Sequence, residues 1–585
     1  MEVKRIFDIP YYSKAHFEKD DFVCDKRNGK WEKISTEDYI KITNQLSRAL
    51  LNYGLKKGDK IALITSTNRV EWCFFDQAAL QIGVVTVPIY PSISSEDCIY
   101  NLENSDSKIC VVSDDKLYEK INSIKRQLPD LQDIFTFDKV DNVKNWKELL
   151  DLGKDTAIQQ EVDFIKNSVS EDDLASIIYT SGTTGRPKGV MLTHKNIVSD
   201  VLGCEDRVPH KDSKNRGLSF LPLCHVYERM VLYLFMTNGI SIYFAESNEK
   251  LSENLKEVKP QYMTVVPRMV EKVYDAIYKR GTEAGGIKSR IFLWSLKIAE
   301  NYKPGKSKSL SHIIADKLVF SKWRDGLGGD IITLVSGSAA LSKRLNTMFH
   351  AAGIPILEGY GLTETSPVIA VNSFEHTKIG SVGRPIKNID LKVREDGEIT
   401  VKGPTVTLGY YKDEMQTKEA FTEDGYFKTG DIGILDEDNF LFITDRKKEM
   451  FKTSGGKYVA PQVIENLAKA SQFIEQIMVV GDGEKMPTAL VQPDFEFAKN
   501  WALKNNINIG NTPEEIAGSK DLKSEIEKEI AKINEHLGNW EQVKKIELTP
   551  EIWTEDNGLL TPTLKLKRKA IKAYFIKLYD KMYDR

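Results

Sequence analysis

Short hydrophobic runs alternate with longer amphipathic stretches along the chain up to about residue 360. Apolar runs of this length, bounded by glycine, proline or aspartate, are typical of buried strands, and the periodic stretches between them are typical of helices. The runs that predict strands are 60–64, 84–89, 108–112, 134–137, 176–179, 240–244, 262–266, 331–335 and 354–357. Strands that alternate with helices indicate an α/β fold with largely parallel sheets.

The hydrophobic pattern changes after residue 375. The stretches IDLKVREDGEITVKGPTVTLGYY and NFLFITDRKKEM contain short strand patterns separated by glycine and aspartate turns, which predict an antiparallel β subdomain. Helical and strand patterns alternate again from Pro461 onward. We therefore predict a large N-terminal domain of parallel or mixed sheets flanked by helices over 1–444, a linker over 445–450, and a small α+β C-terminal domain over 451–585.

The composition is that of a globular protein with hydrophobic cores, since 41% of the 585 residues are hydrophobic and 29% are charged. The net charge of −3 provides no overall basic field, so nucleic acid is not a predicted partner. The N-terminus lacks the long apolar region of a signal peptide. The most apolar stretch, 230–244, is interrupted by Thr237-Asn238-Gly239, which predicts a turn between two buried segments.

The cysteines show no CxxC spacing, and all of them lie in the first 224 residues. They are at positions 24, 73, 98, 110, 204 and 224. This usage fits a reduced, cytoplasmic compartment and predicts neither a zinc site nor a disulfide framework.

The stretch YTSGTTGRPKG, residues 179–189, lies between two apolar runs and is rich in hydroxyl groups and glycines. It is either a flexible linker or a loop that surrounds phosphates with amides, hydroxyls and cations. It is not a Walker A loop, because Gly189 stands where that motif requires serine or threonine. The candidate phosphate ligands are Thr180, Ser181, Gly182, Thr183, Thr184, Gly185 and Lys188.

Other short stretches also carry candidate chemistry. In GYGLTET, Tyr360 can stack on a base and Glu364 can hold Mg²⁺; the alternative is a strand-ending turn with a surface glutamate. In GYFKTGDIG, Asp431 can accept two ribose hydroxyls, or it forms an Asx-turn. His225 in LPLCHVYER is either a core residue or an active-site residue, and the lysine of LTPTLK, Lys565, is either functional or solvated.

Taken together, these motifs resemble those of the acyl-adenylate-forming superfamily. YTSGTTGRPKG, GYGLTE, KTGD, DRKK and LTPTLK stand in that family's order, and the resemblance extends from about residue 10 to residue 575. The stretches LPLCHVYER, SGSAAL and DRKKEMFKTSGGKYVAPQVIEN are more similar to long-chain fatty-acid–CoA ligases than to acetyl-CoA synthetases or luciferases.

The resemblance implies that ATP activates a long-chain fatty acid to acyl-AMP, and that CoA then takes the acyl group, giving acyl-CoA, AMP and pyrophosphate. ATP and CoA are the implied co-substrates and Mg²⁺ the implied metal. The alternatives are a fatty acyl-AMP ligase that delivers the acyl group to a carrier protein, and a non-catalytic nucleotide-binding homologue. The resemblance also implies that the small domain rotates between the two half-reactions.

The resemblance assigns roles to individual residues. The implied catalytic residues are Lys565, Glu364, Thr180 and His225, and Thr180 and Glu364 are the implied metal ligands. The implied ATP- or AMP-binding residues are Thr180, Ser181, Gly182, Thr183, Thr184, Gly185, Lys188, Ser338, Ala339, Gly359, Tyr360, Gly361, Thr363, Asp431, Arg446 and Lys452. Lys448 is the implied hinge, and Ser454, Gly455 and Gly456 are the implied CoA-facing turn. Lys457 stands near the place of a phosphate-binding arginine of short-chain members, which makes Lys452 the alternative candidate for that role.

The C-terminal segment 564–585 contains eight lysines and arginines and two aspartates, with apolar residues interspersed. This pattern predicts weak, reversible contact with the inner surface of the membrane. The alternative is a solvated helix face that covers its own domain.

Overall fold

The computed structural model describes residues 2–180, 186–208, 212–305, 307–469, 471–561 and 565–585. The chain divides into two compact units, the first comprising 1–391, 400–428 and 439–441 and the second comprising 392–399, 429–438 and 442–585. The second unit thus includes short segments that the sequence pattern places in the large domain. The domain boundaries on either side of 445–450 stay a prediction.

The strands of the described residues are β1 (Val23–Arg27), β2 (Lys30–Ile34), β3 (Lys60–Ile64), β4 (Val85–Ile89), β5 (Ser107–Val112), β6 (Asp133–Thr136), β7 (Leu174–Thr180), β8 (Lys188–Thr193), β9 (Arg216–Ser219), β10 (Ser241–Phe244), β11 (Tyr262–Val265), β12 (Thr333–Ser336), β13 (Ile356–Gly361), β14 (Val368–Val371), β15 (Arg384–Pro385), β16 (Asp390–Val393), β17 (Glu398–Lys402), β18 (Gly409–Tyr410), β19 (Phe427–Leu435), β20 (Leu441–Arg446), β21 (Phe451–Lys452), β22 (Tyr458–Val459), β23 (Ile474–Val480), β24 (Thr488–Pro493) and β25 (Ile546–Leu548).

The α-helices of the described residues are α1 (Ile9–Phe17), α2 (Thr36–Tyr53), α3 (Val70–Gln81), α4 (Ser95–Asn104), α5 (Asp115–Ile124), α6 (Trp146–Asp151), α7 (Gln159–Ser168), α8 (His194–Gly203), α9 (Val226–Thr237), α10 (Leu251–Val258), α11 (Pro267–Glu283), α12 (Gly286–Glu300), α13 (Leu310–Ala315), α14 (Ser321–Gly326), α15 (Lys343–Ala351), α16 (Glu414–Ala420), α17 (Pro461–Ala468), α18 (Phe495–Lys504), α19 (Pro513–Ala517), α20 (Lys520–Asn534), α21 (Arg568–Tyr574) and α22 (Ile576–Met582). A π-helical turn over Asp316–Phe320 joins α13 to α14.

The first unit contains two large sheets. The nine-stranded sheet has the order β15-β14-β13-β12-β11-β9-β10-β1-β2, and the seven-stranded sheet has the order β18-β8-β7-β4-β3-β5-β6. Strands β10, β9, β11, β12 and β13 run parallel to one another, as do β4, β3, β5 and β6. Each apolar run in the sequence that predicts a strand coincides with one of these strands, so the predicted α/β fold is confirmed.

Helix α9 is buried at every position and belongs to the main hydrophobic core of the first unit. It ends at Thr237, and the chain turns at Asn238 and Gly239 before strand β10 begins at Ser241. The predicted turn between two buried segments is therefore confirmed. Among the helices of the described residues, none combines the length and the hydrophobicity that crossing a bilayer requires.

A four-stranded sheet has the order β16-β17-β19-β20. It lies in the region after residue 375 in which the sequence predicts a β subdomain. Strand β20 extends through Asp445 and Arg446, whereas the sequence pattern places both residues after the strand. The turn therefore begins only at Lys447.

The second unit contains a three-stranded sheet with the order β23-β24-β25 and helices α17 to α22. Side chains of a strand alternate between its two faces, and this alternation separates two cores. Ile477 and Val491 belong to a core with α17, α18 and α20, whereas Met478 and Leu490 belong to a second core with α21 and α22. The predicted α+β character of this region is confirmed.

Candidate active site

The carboxyl ends of four parallel strands, β9, β11, β12 and β13, meet at one edge of the nine-stranded sheet. Loops at the carboxyl edge of such a sheet are the usual location of ligand sites. The loop after β9 carries His225, the loop after β12 carries Ser338 and Ala339, and the segment after β13 carries Thr363 and Glu364. The structure thus brings predicted site residues from three separate motifs to one edge of the sheet.

The turn that carries Glu364 is fixed by a close approach of the backbone. A Cβ atom on Gly361 would lie 1.7 Å from the carbonyl oxygen of Pro367, so only glycine fits there. The amide of Leu362 donates a hydrogen bond to the same carbonyl at 3.0 Å. Tyr360 lies half-buried in β13, where it pairs with Ala370 of β14. The glycines of GYGLTET therefore serve the turn geometry that aims Glu364.

Tyr410 connects Glu364 to the phosphate-loop candidates. Its hydroxyl donates a hydrogen bond to Glu364 Oε1 at 3.0 Å. Lys188 Nζ lies 4.7 Å from the centroid of the Tyr410 ring, and Lys188 pairs with Thr180 across the β7–β8 hairpin. Burial, and then the neighbouring Glu364 carboxylate, raise the pKa of Tyr410, so its hydroxyl stays protonated and remains a donor. Tyr410 thus contacts both Glu364 and Lys188, and Thr180 lies opposite Lys188 in the adjacent strand.

Tyr410 is a site residue that no sequence motif indicated. It lies in the two-residue strand β18, where it pairs with Val190 of β8. The only signal in the sequence is the Gly-Tyr-Tyr stretch at the end of a predicted strand region. The distant pairing of β18 with β8 places the ring beside Lys188.

The stretch YTSGTTGRPKG joins two paired strands. Thr180 is the last residue of β7 and Lys188 the first residue of β8, and the two lie opposite each other in an antiparallel pair. The two ends of the stretch therefore belong to neighbouring strands of one sheet. Five of the predicted phosphate ligands lie outside the described residues: Ser181, Gly182, Thr183, Thr184 and Gly185.

His225 is the residue that precedes α9, and its Nδ1 accepts a hydrogen bond from the amide of Tyr227 at 3.2 Å. The imidazole is half-buried and its ring centroid lies 6.4 Å from that of Tyr90. It therefore lies at the rim of the carboxyl edge and not inside the hydrophobic core. The ring nitrogen thus caps the first turn of the helix as a hydrogen-bond acceptor.

The glutamate of LPLCHVYER is buried and connects elements of the fold. Glu228 is buried on α9 and accepts hydrogen bonds from the hydroxyls of Ser219 at the end of β9 and Thr264 in β11. Burial raises the pKa of Glu228 to about 7. The side chain connects α9 to two strands of the nine-stranded sheet.

The arginine of the same motif connects α9 to the other sheet. Arg229 Nη2 lies 2.5 Å from Asp76 Oδ1 and 2.9 Å from Thr86 Oγ1, and Nη1 lies 2.8 Å from Ser176 Oγ. Its Nε donates to Tyr233 Oη at 2.8 Å. Ser176 belongs to β7, the strand that leads into the phosphate-loop segment. Two adjacent residues of α9 thus hold the two sheets of the first unit in register.

In the second unit, the two predicted ribose ligands contact each other. Arg446 Nε donates to Asp431 Oδ1 at 2.9 Å, and the Asp431 carboxylate is almost fully buried. The local turn is held by Thr429, whose hydroxyl accepts from the Asp431 amide at 3.1 Å. The pair therefore presents a carboxylate of fixed orientation, which is the requirement for accepting two adjacent hydroxyl groups.

Lys565 of the second unit is held to Thr561 by backbone contacts. The amide of Thr561 donates to the carbonyl of Lys565 at 2.8 Å, and the amide of Lys565 donates to the Thr561 hydroxyl at 3.0 Å. Leu560 and Leu566 also pair with each other, and Leu560 is buried in the core formed with α21 and α22. The backbone of Lys565 is thus anchored while its side chain is exposed.

Arg568 connects this part of the chain to the segment that follows the predicted hinge. Its guanidinium donates to Glu465 Oε2 at 2.6 Å and to Glu449 Oε2 at 3.1 Å. Lys448 is exposed in the turn just before Glu449, whereas its neighbour Lys447 is held 2.7 Å from Glu398. The candidate hinge residue therefore lies between two anchored positions.

The glycine-rich turn of the second unit is exposed. Ser454 donates its amide to the carbonyl of Glu484 at 2.8 Å, and Gly456 has a φ of +79°, the left-handed region that favours glycine. Lys452 Nζ lies 5.5 Å from the ring centroid of Tyr458, and Lys457 Nζ lies 5.5 Å from the ring centroid of Trp540. The ammonium groups of both candidate phosphate ligands thus lie near exposed aromatic rings. Gly455 lies between the two lysines in the chain.

The predicted metal ligands supply only oxygen atoms, the hydroxyl of Thr180 and the carboxylate of Glu364, which suits Mg²⁺. Within the described ranges, no group of three or more histidine, cysteine, aspartate or glutamate side chains could hold a metal ion. A few protein oxygens completed by substrate phosphates and water are typical of Mg²⁺ sites in enzymes that act on nucleotides. The donor set therefore fits this metal.

Comparisons with known protein families agree with this geometry. Residues 13–411 match the family described as AMP-binding enzyme, and residues 449–585 match the family described as AMP-binding enzyme C-terminal domain. The chain is 34% identical to long-chain-fatty-acid–CoA ligase FadD15 of Mycobacterium bovis, over 97% of this chain and 95% of the relative. It is 32% identical to human long-chain-fatty-acid–CoA ligase 1, over 95% of this chain and 83% of the relative.

Solved structures show the same fold. An anthranilate CoA ligase, AuaEII, in complex with anthranoyl-AMP has a TM-score of 0.73 at 18% identity, with 97% of each chain covered. A Mycobacterium tuberculosis fatty acyl CoA synthetase has a TM-score of 0.63 at 20% identity, with 98% of each chain covered.

Proposed function

The chain belongs to the family of AMP-binding enzymes, and from this membership we propose that it is a long-chain fatty-acid–CoA ligase. It converts a long-chain fatty acid and ATP to acyl-AMP and pyrophosphate, and then transfers the acyl group to CoA with release of AMP. The observation that carries the proposal is the contact of Tyr410 with both Glu364 and Lys188, beside Thr180 in the adjacent strand. The near-complete coverage of relatives with this activity supports it.

The chemistry requires positioning and charge neutralisation more than covalent participation of the protein. A carboxylate is a poor acyl donor because oxide or hydroxide would have to leave. Attack of the carboxylate oxygen on the α-phosphate replaces that leaving group with AMP, and the CoA thiol then attacks the mixed anhydride. No protein nucleophile is needed, which agrees with the burial of all six cysteines as free thiols.

We assign the charged groups of the first unit to the phosphates. Lys188, with the segment that follows Thr180, binds the departing pyrophosphate. Thr180 and Glu364 would hold Mg²⁺, which neutralises phosphate charge when it is bound. Ser338 and Ala339, together with Tyr360, border the adenine.

We assign the residues of the second unit to the ribose and to the two half-reactions. Asp431 and Arg446 bind the ribose hydroxyls, and Lys565 offsets repulsion between the fatty-acid carboxylate and the α-phosphate. Rotation of the C-terminal domain about Lys448 then exchanges Lys565 for the turn 454–456, which faces CoA. Movement of a domain between two half-reactions is a common way to use one cleft twice.

The role proposed for Glu364 can be tested against that of Tyr410. Glu364→Gln removes the charged metal ligand, and we expect ATP–pyrophosphate exchange to fall by at least a hundredfold at a fixed Mg²⁺ concentration. Tyr410→Phe removes only the hydrogen bond to that ligand, and we expect about a tenfold higher Mg²⁺ requirement, which is typical of groups that orient a ligand. Exchange measured over a Mg²⁺ series separates the two variants. Unchanged exchange in Glu364→Gln would contradict the assignment.

The substrate class predicts a dependence on acyl-chain length. Each additional buried methylene contributes about 0.8 kcal/mol, so kcat/KM for acyl-CoA formation should rise about fourfold per methylene and then level off where the pocket ends. The measurement is CoA-thioester formation across saturated fatty acids of graded length. A maximum at acetate or at an aromatic acid would exclude the long-chain assignment, and thioester formation only on a carrier protein would favour the acyl-AMP ligase alternative.

We also propose a cytoplasmic location with peripheral contact at the inner membrane surface. The burial of all cysteines as free thiols supports a reduced compartment, and the proposed substrate partitions into bilayers. In segment 564–585, however, Ile571, Phe575, Tyr579 and Met582 are buried in the core of their own unit. The apolar side chains of this segment thus support the alternative of a helix face that covers its own domain.

A further inference from the structure

Exposed hydrophobic side chains are concentrated on helices α12 and α13 of the first unit and on the π-helical turn that follows α13. Of the twenty-one large hydrophobic side chains exposed among the described residues, seven lie between positions 287 and 318. Ile287 is 74% exposed, Leu310 80% and Ile313 53%. We call this set the α12–α13 surface; its members are Ile287, Leu293, Trp294, Leu310, Ile313, Ile314 and Leu318. An exposed apolar set of this density usually marks an interaction site.

The exposed apolar residues recur at the spacing of one helix turn, so they lie together on one face of each helix. In the segment that begins with α13, Leu310, Ile313, Ile314 and Leu318 are spaced as one face of a helix. The opposite faces of α12 and α13 are buried in the same core, which contains Phe292, Leu296 and Ala315, among others. Helices α12 and α13 contact each other, so the two exposed faces belong to neighbouring helices.

The same segment is strongly basic in a chain that is slightly acidic overall. Residues 286–322 contain eight lysines and arginines and two acids, Glu300 and Asp316, while the whole chain has a net charge of −3. Each acid is already paired with an arginine outside α12 and α13, Glu300 with Arg344 and Asp316 with Arg324. In the described part of the segment, by contrast, no lysine or arginine forms an ion pair.

The two properties occur on the same helix faces. On α12, Ile287, Arg290, Trp294 and Lys297 are spaced three and four residues apart and are all exposed. A helix that alternates large apolar side chains with cations, and that carries an exposed tryptophan, is typical of helices lying in the interface of an anionic bilayer. The alternative partner for such a surface is a second copy of this chain. The positive charge opposes it, because two such surfaces would repel each other.

We propose that the α12–α13 surface is the site at which the protein binds the surface of an anionic phospholipid bilayer. The inference rests on the proposed function, because a long-chain fatty acid is delivered from a bilayer and an enzyme docked there meets its substrate at high local concentration. Apolar side chains enter the boundary between headgroups and acyl chains while the cations remain at the anionic headgroups. The C-terminal segment 564–585 is not required for this contact.

The test uses the full-length protein and vesicles of phosphatidylcholine with and without phosphatidylglycerol, separated by flotation. We expect binding only to the anionic vesicles, weakened by salt. Arg290→Gln combined with Lys297→Gln removes two cations from the exposed face of α12, each contributing about fivefold near the surface, so the partition coefficient should fall about 25-fold. Ile313→Ser combined with Ile314→Ser should lower the partition coefficient that remains at high salt, because this part of the binding comes from apolar contact.

Variants of other surfaces provide the comparison. Phe164→Ser and Leu503→Ser change side chains elsewhere that are more exposed than Ile313 and Ile314. Lys569→Gln combined with Lys572→Gln changes the C-terminal cations. All of these variants should bind as the wild type does. Loss of binding in the Lys569/Lys572 variant, with the α12–α13 variants unaffected, would overturn the proposal. So would absence of binding, or a concentration-dependent dimer in sedimentation that only the α12–α13 variants abolish.

Ligase activity on fatty acid supplied in detergent micelles separates this proposal from the proposed function. The α12–α13 variants should retain that activity within twofold, because they leave the described site residues untouched. If the wild-type protein binds anionic vesicles and yet forms no acyl-CoA, then the proposed function fails while the membrane surface stands.

Discussion

Replacement of Lys565 by methionine is expected to slow acyl-AMP formation by about a thousandfold. Two anions about 4 Å apart in a partly dry site repel by about 4 kcal/mol, which corresponds to roughly three powers of ten in rate. The lysine ammonium offsets this repulsion when the fatty-acid carboxylate approaches the α-phosphate. ATP–pyrophosphate exchange measures this step directly.

The same variant should form the thioester from pre-made acyl-AMP at nearly the wild-type rate. By that stage the repulsion has been overcome, and under the proposed rotation the C-terminal domain presents the turn 454–456 instead of Lys565. Lys569→Met is the matched control, since Lys569 is an exposed lysine in the same basic segment. If Lys565 is only a solvated cation, both variants will keep both rates.

A change at the candidate hinge should give the opposite result. Lys448→Pro restricts φ in the turn between the anchored residues Lys447 and Glu449. If rotation requires a change in that φ, thioester formation should fall while ATP–pyrophosphate exchange continues.

Equal slowing of both steps in Lys565→Met would mean that the two half-reactions do not use two arrangements of the domain.

The largest expected effect on stability belongs to Arg229. Arg229→Met leaves the carboxylate of Asp76 buried without its cation, and we expect the free energy of unfolding of the first unit to fall by about 3–5 kcal/mol. Arg229 and Asp76 are both almost completely inaccessible to solvent, so water cannot replace the lost contacts. Urea denaturation followed by tryptophan fluorescence measures the change.

Asp76, Arg229 and Tyr233 form one buried network. Removing the polar groups of all three residues should lower the free energy of unfolding less than removing Arg229 alone. The combination of Asp76→Leu, Arg229→Met and Tyr233→Phe leaves no buried charge, and replacement of buried ion pairs by hydrophobic groups is often close to neutral. Arg126→Met, at an exposed arginine, should change stability by no more than about 0.5 kcal/mol. A triple variant less stable than the single one would show that packing, not the unpaired charge, dominates.

Much of the architecture follows from local sequence. Predominantly apolar runs such as 60–64 and 262–266 become strands because burial in a sheet removes their side chains from water, and β3 and β11 occupy those positions. The order of the motifs was sufficient to indicate the family, since each motif is a local string of residues. The placement of Glu364 on a tight turn also follows from the glycines beside it.

The tertiary structure decided which distant groups meet. The hydrogen bond from Tyr410 to Glu364 depends on the pairing of β18 with β8, and no local pattern encodes which strands pair over such a separation. The motif LPLCHVYER resembles an active-site stretch, yet Glu228 and Arg229 are buried between sheets. Their contacts were decided by the position of α9.

The same distinction applies to amphipathic segments. Both 564–585 and 286–322 combine cations with apolar residues in the sequence, but only in the second segment do the large apolar side chains form an extended exposed surface. In the first, Ile571 and Phe575 pack into the core of their own unit. Periodicity in a sequence shows that a helix has an apolar face, whereas what covers that face depends on which other elements the folded chain brings against it.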